Sequence, residues 1–192
     1  YTLLPQNDGE FEITGLNDNI VVYDGKDHVF DPKVSLDEES LIKDKDYILT
    51  YSYTPFCGSE IKGEEYDPET VEMVEAGLYI VTASGIGNYI GSGTAVLLIS
   101  QRDLADSSIN AEILDVTYNG EEQEPEVTLT YDGTDVGDLN DTEYSYNIDA
   151  GEAVAISSAA DCNNNFRGIR MDTFRINPKE LNDVGFTVVA ES

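Results

Sequence analysis

Asp46-Tyr47-Ile48-Leu49-Thr50-Tyr51-Ser52-Tyr53 is the stretch that decides the fold. Tyr47, Leu49, Tyr51 and Tyr53 fall at alternate positions, with Ile48, Thr50 and Ser52 between them. Side chains of an extended chain point to opposite faces in turn, so this period of two predicts a half-buried antiparallel strand. The pattern recurs outward in both directions. Phe11 and Ile13 alternate with acids, Val127, Leu129 and Tyr131 with threonines, and Phe174 and Ile176 with Thr173 and Arg175. Helical periodicity is nearly absent. Turn chemistry falls between the alternating runs: Asp24-Gly25, Asn119-Gly120 and Asp132-Gly133 each pair a residue tolerant of positive φ with a glycine. The spacing predicts strands near residues 10–15, 19–24, 33–37, 46–53, 77–84 and 93–100, and again near 109–114, 116–119, 126–131, 143–148, 152–158 and 171–176. The expected class is all-β.

Those two groups of strands carry the same landmarks in the same order. The first copy runs Val22-Tyr-Asp-Gly25, Pro32, Val34-Ser-Leu36, Asp46-Tyr47, Ala76-Gly77, Asn88-Tyr-Ile-Gly91 and Arg102-Asp-Leu104. The second runs Thr117-Tyr-Asn-Gly120, Pro125, Val127-Thr-Leu129, Glu143-Tyr144, Ala150-Gly151, Asn165-Phe-Arg-Gly168 and Lys179-Glu-Leu181. A repeat of this length predicts one unit duplicated in tandem. We read residues 1–103 as a first β-domain, 104–181 as a second, and 182–192 as the start of a third copy, with Phe186-Thr-Val-Val189 matching Phe11-Glu-Ile-Thr14. Such a lead-in predicts a longer parent chain with at least three repeats.

The copies differ at residues 54–75, an insertion in the first that the second lacks. Insertions in repeat arrays map to loops, where recognition is usually added, so Phe56, Tyr66 and Met73 are the candidate binding residues if they share a solvent-facing patch. Replacing the segment by a short turn is expected to cost little stability, because closure entropy changes slowly with loop length. Asp67-Pro68-Glu69 is a helix start by its cap, its proline and its acids, and predicts a short helix over 68–75.

Composition narrows the partners. Thirty-nine acidic residues against ten basic give a formal net charge of -29 in 192 residues. That field argues against nucleic acid and anionic membrane surfaces, and the acids are spread between apolar positions rather than blocked together. No run in the sequence is apolar enough to insert in a membrane. A catalytic constellation is not visible either. His28 is the single histidine, Trp is absent, and paired carboxylates are too common to single out an acid–base couple. The chain is expected not to be an enzyme.

Calcium is the one cofactor for which the sequence offers ligands. Asp161, Asn163 and Asn165 place hard oxygens at alternate positions, with Asp172 further on, although Phe166 stands where an EF-hand loop requires glycine. Cys57 and Cys162 are too few for a disulfide scaffold and lie in loops of different repeats. Their spacing leaves open whether they are free or paired, and the approach a bridge requires weighs against one.

Taken together, Tyr23-Asp-Gly25, Pro32-Lys-Val34, Asp46-Tyr47 with Tyr51, Ala76-Gly77 and Gly85-Ile-Gly-Asn-Tyr-Ile-Gly91 resemble a repeat of bacterial cell-surface proteins, mostly of Gram-positive and gut bacteria. The second copy departs from that pattern, with Glu143 for the Asp, Tyr146 too close behind Tyr144, and Phe166 for the Tyr. The resemblance implies two tandem Ig-like β-sandwich domains, with β-grasp-like modules as the alternative. A β-grasp unit needs a helix on one face, and only the first copy offers one. It implies an extracellular setting, at the cell surface or cell wall, as part of a larger protein. There it would act as a stalk or spacer that displays other domains, or as an adhesin module binding host glycan or protein through the insertion at 54–75.

Overall fold

The computed structural model describes residues 10–15, 20–28, 31–57, 64–65 (backbone only) and 72–180. Tyr66, the start of the expected helix at 68–71, and the third-copy segment 182–192 lie outside them. Among the described residues every regular element is a β-strand, and Glu72–Glu75 are not helical. The chain divides into two compact units, 1–102 and 103–192.

Unit 1 holds β1 (Glu12–Thr14), β2 (Ile20–Val22), β3 (Lys33–Leu36), β4 (Glu39–Ser40), β5 (Tyr47–Pro55), β6 (Glu64–Glu65), β7 (Gly77–Gly85) and β8 (Ser92–Ser100). They form two sheets, ordered β1-β3-β4 and β2-β8-β7-β5-β6. The division falls in β9 (Arg102–Asp103). Unit 2 holds β10 (Ile109–Ile113), β11 (Val116–Thr117), β12 (Val127–Tyr131), β13 (Thr134–Asp135), β14 (Glu143–Ser145), β15 (Gly151–Ser158), β16 (Phe166–Arg167) and β17 (Ile169–Asn177). Its two main sheets are ordered β10-β12-β13 and β11-β17-β15-β14. Strand for strand this is the order of unit 1 without the two-residue edge strand β6.

Alternation sets the packing. Along β7, Gly77, Tyr79, Val81 and Ala83 are buried, and the residues between them are half-exposed. Along β15, Ala153, Ala155 and Ser157 are buried in the same way. In unit 1 two clusters form the core. Met73, Ala76, Tyr79, Val81, Leu97 and Ile99 make one, with Leu49, Tyr51 and Tyr53 packed against it. Phe11, Val34, Leu36, Leu41, Tyr47 and Ala83 make the other. Unit 2 packs Ala153, Ala155, Phe174 and Ile176 against Ile113, Val116, Val127 and Tyr144.

Turn chemistry closes the small hairpins. Asp132 and Gly133 take φ of 48° and 79° between Tyr131 and Thr134, which face each other across the strands. Two positive φ values in a two-residue loop match the right-handed twist of the flanking strands. The equivalent hairpin of unit 1 uses Asp37 and Glu38 at 49° and 69°, where a glycine is missing and the sequence predicts strand to residue 37. The left-handed conformation of Glu38 costs about 1–2 kcal/mol, and the strand pairing around it holds the turn.

Both cysteines are disulfide-bonded, and neither is a free thiol. That corrects the weight the sequence placed against a bridge, which rested on the cysteines lying in loops of different repeats and on the close approach a bridge demands.

Candidate binding site

The landmarks that repeat are spent on structure. Asp46 is 7% exposed, and its carboxylate accepts the Ile42 N–H at 2.9 Å, closing the turn that leads into β5. Its carbonyl accepts the Ile86 N–H at 2.9 Å, which ties that turn to the glycine-rich loop after β7. Within that loop a Cβ on Gly85 would lie 2.9 Å from the Tyr89 carbonyl. Tyr53 and Tyr79 stack with centroids 4.6 Å apart, and their hydroxyls donate to the Ala76 and Glu75 carbonyls at 3.0 and 2.9 Å. Gly77 sits beneath this pair at φ 156°, where a Cβ would come within 2.5 Å of the Tyr53 ring. In unit 1 the Ala-Gly landmark therefore lets the tyrosines pack. Buried tyrosines need a partner for the hydroxyl, and the returning backbone supplies it.

Of the three candidate binding residues, Phe56 is exposed, at 47%, on the segment that leaves β5. Met73 is not: it is 4% exposed and belongs to the core cluster of unit 1. Its N–H donates to the Asp27 carboxylate at 2.8 Å, and its carbonyl accepts the His28 N–H at 3.1 Å. The end of the insertion is thus tied into the unit beside the Asp24–His28 turn, where His28 Nε2 lies 3.1 Å from Asp24 Oδ1. The two residues do not share a solvent-facing patch, because Met73 packs into the core with Tyr79 and Val81. Tyr66 lies outside the described residues.

Three of the four candidate calcium ligands, Asn163, Asn165 and Asp172, are engaged with protein donors. Asn163 is buried. Its amide nitrogen donates to the Val136 and Asp138 carbonyls at 2.9 and 3.0 Å, and its oxygen accepts the Asn165 and Phe166 N–H groups. Asp172 accepts Arg170 Nε at 3.0 and 2.8 Å on its two oxygens. Asn165 Oδ1 lies 3.4 Å from the Asn164 amide, and Asp161 is exposed. Among the described residues no cluster of three His, Cys, Asp or Glu side chains is placed to hold a metal ion.

One feature of unit 1 escapes the landmark reading. On the outer face of the larger sheet, Leu78 stands opposite Leu98, Ile80 opposite Val96, and Ile20 of β2 beside Leu98. Ile20 is 67% exposed and Val96 40%. An open groove of about 610 Å³ runs along this face, lined by Ile13, Ile20, Leu78, Thr94, Val96 and Leu98. The sequence signal was the unbroken apolar run Ala95–Ile99, which period-two reading assigns to one buried face although both faces are apolar. In unit 2 the matching outer positions carry Glu152 opposite Arg175, and the apolar pair shifts along to Ile156 and Met171.

Among the described residues no helix is long and apolar enough to cross a membrane. Compared with protein-family models, curated proteins and solved structures, the chain gives no significant match.

Proposed function

We propose that the chain is a non-catalytic repeat module of a bacterial surface or secreted protein, a stalk or spacer built from two Ig-like sandwiches that displays other domains. One observation carries the reading. In unit 1 the chain donates from the Phe11 N–H to the Ser92 carbonyl and, further along, from the Tyr23 N–H to the Ser100 carbonyl. It therefore runs alongside β8 in the same direction, and the first and last strands of the unit begin and end at opposite poles, about 26 Å apart at ~3.3 Å per residue. In unit 2, Ile109 lies by Arg170 and Tyr118 by Asn177, so the same arrangement is built again from different residues. A unit that takes the chain in at one pole and releases it at the other suits a spacer. Two sheets per unit, with the chain crossing from β1 in one to β2 in the other, support the sandwich. Disulfide-bonded cysteines support an oxidising, extracellular setting, and the charge of -29 supports a solvated surface.

The test is display. The full chain is placed between a cell-surface anchor and an epitope tag on an encapsulated cell, against a flexible Gly-Ser linker of equal residue number. The expected result is greater capture of the tag by antibody-coated beads with the chain than with the linker, and equal capture refutes the spacer reading.

Exposed Phe56 favours the second reading, an adhesion module that binds host glycan or protein through the 54–75 insertion. Binding of intact chain to mucins, glycans or matrix proteins, lost in Phe56→Ala, would establish it in place of the first.

A further inference from the structure

We propose that each unit is a tension-bearing clamp, closed by the parallel pairing of its early strand with its last one. The inference deepens the spacer reading and rests on it for the source of the load, while the clamp itself rests on strand geometry. In unit 1, β2 pairs with β8 in parallel: Ile20 with Leu98, Val21 with Ile99, and Val22 with Ser100. In unit 2, β11 pairs with β17 in parallel: Val116 with Ile176, and Thr117 with Asn177. Every other pairing in these two sheets is antiparallel.

Direction decides how such a pair fails. Pulling the N-terminal end of one parallel strand against the C-terminal end of the other slides the two past each other. The bonds between them lie across the force and must break together. Pulling the same two strands apart from one shared end breaks the bonds one after another. Tension applied between the segment before β2 and the segment after β8 loads the pair in the first manner, because it pulls on the N-terminal end of β2 and the C-terminal end of β8.

The pairing is reinforced at the end where load arrives. Beyond the three paired residues, the Tyr23 N–H donates to the Ser100 carbonyl at 2.8 Å. Ser100 Oγ donates to the Val21 carbonyl at 3.0 Å, and Arg102 Nε donates to the Tyr23 carbonyl at 2.8 Å. Two side chains of the outgoing strand thus grip backbone carbonyls of the incoming one. A guanidinium donor makes the stronger kind of hydrogen bond. In unit 2 the corresponding extension is the Tyr118 N–H to the Asn177 carbonyl at 2.9 Å. With two register pairs against three, unit 2 is the weaker clamp.

The test is single-molecule force spectroscopy on the full oxidised chain, held through clickable residues in two geometries. In one, handles at Glu10 and Gln101 load β2 and β8 in shear. In the other, handles at Lys26 and Gln101 sit at the same end of both strands and peel them. Sharing Gln101 leaves direction as the only difference. The expected unfolding force is at least about twofold higher in shear, because several backbone bonds act together there and singly in peeling. The double variant Ser100→Ala, Arg102→Gln is expected to lower the shear force by a larger factor than the peeling force, because in shear those bonds act together with the backbone pairs and in peeling they break singly. Equal forces in the two wild-type geometries overturn the clamp, as does a variant that lowers both forces alike. The wild-type comparison stands even if the variant folds poorly. Failure here would leave the display experiment, which applies no load, to judge the spacer reading separately.

Discussion

Met73→Ala is the sharpest probe of whether the insertion serves recognition or the core. Met73 is 4% exposed, sits among Ala76, Tyr79, Val81, Leu97 and Ile99, and holds Asp27 and His28 through its own backbone. Truncation leaves those backbone bonds in place and removes only the side chain, so the loss measures packing. Burying a large apolar side chain is worth about 1.5–3 kcal/mol, and the cavity left in a core adds to that, giving about 2–4 kcal/mol here. In a unit of this size the melting temperature should fall by about 10–20 °C. The adaptable neighbours of a methionine place the loss toward the lower end, and Met73→Leu, which conserves volume, should cost less than about 1.5 kcal/mol. Urea unfolding followed by circular dichroism and tyrosine fluorescence reads the change. The control is Phe56→Ala, whose ring is 47% exposed, expected to be several-fold milder than Met73→Ala. If Met73→Ala unfolds within about 0.5 kcal/mol of the parent, the side chain is not in the core and the reasoning fails. Deleting 54–75 removes the same side chain together with Cys57, the end of β5 and the Met73 backbone bonds, so it should destabilise unit 1 by more than Met73→Ala, against the small cost expected from sequence.

Gly77→Ala should destabilise more than Gly151→Ala in the same unfolding assay. Both positions have strained φ for an L-residue, worth roughly 1–3 kcal/mol, but only Gly77 would also drive a Cβ into Tyr53. Burial first, then the nearby acids Asp44 and Asp31, raises the Tyr47 pKa, and burial with Glu124 raises that of Tyr144. Their neutral forms are favoured by folding, so the stability they contribute is complete below the unfolded value of about 10 and is lost as pH climbs through the higher folded values. Ultraviolet titration should show two late tyrosines that join the rest only on unfolding, and their absence would refute the burial. Calcium, magnesium and sodium at matched ionic strength should raise the melting temperature about equally through screening of the -29 charge, and a gain specific to calcium would instead point to a site.

The strand pattern was legible because period two is local: Tyr47 to Tyr53 share the face that packs in the core, and Phe174 with Ile176 do the same in unit 2. Asp132-Gly133 was legible for the same reason, and Asp37-Glu38 was not, since nothing in the latter pair signals a positive φ that only the surrounding pairing enforces. The Met73 side chain was misread for a physical reason as well. An insertion absent from one copy looks dispensable, yet the copies fill their cores differently. Tyr79 and Val81 of β7 correspond to Ala153 and Ala155 of β15, so the first unit has bulk to pack around where the second has methyl groups. Which oxygens are free for a metal was equally hidden, because the Asn163 oxygen finds its donors in the Asn165 and Phe166 N–H groups of its own turn and Asp172 finds its donor in Arg170 on the same strand.

Comparing equivalent positions explains why the second copy drifted without losing the fold. Aligning Gly77 with Gly151 through their shared partners Ile99 and Ile176 sets Gly93 against Arg170 and Ala95 against Asp172. In unit 1 nothing larger than hydrogen fits at Gly93, since a Cβ would meet the Phe11 carbonyl at 2.1 Å. In unit 2 the incoming strand begins with Ile109, and Arg170 reaches its carbonyl at 2.8 Å while gripping Asp172 on the next inward position of β17. Close backbone approach in one unit is replaced by a guanidinium bridge in the other. The two solutions join the same pair of strands, the one entering the unit and the one leaving it. What has been kept through the drift is therefore the connection between entry and exit, and not any set of side chains that could form a common ligand site. Arg170→Ala should accordingly loosen unit 2 by about 1–3 kcal/mol, as loss of a partly buried, hydrogen-bonded ion pair does. The lysine variant should recover only part of it, because an ammonium cannot span both Asp172 oxygens and the Leu104 and Ile109 carbonyls at once. Full rescue by lysine would mean that charge alone matters at this position, and the strand-bridging role of the guanidinium would fall.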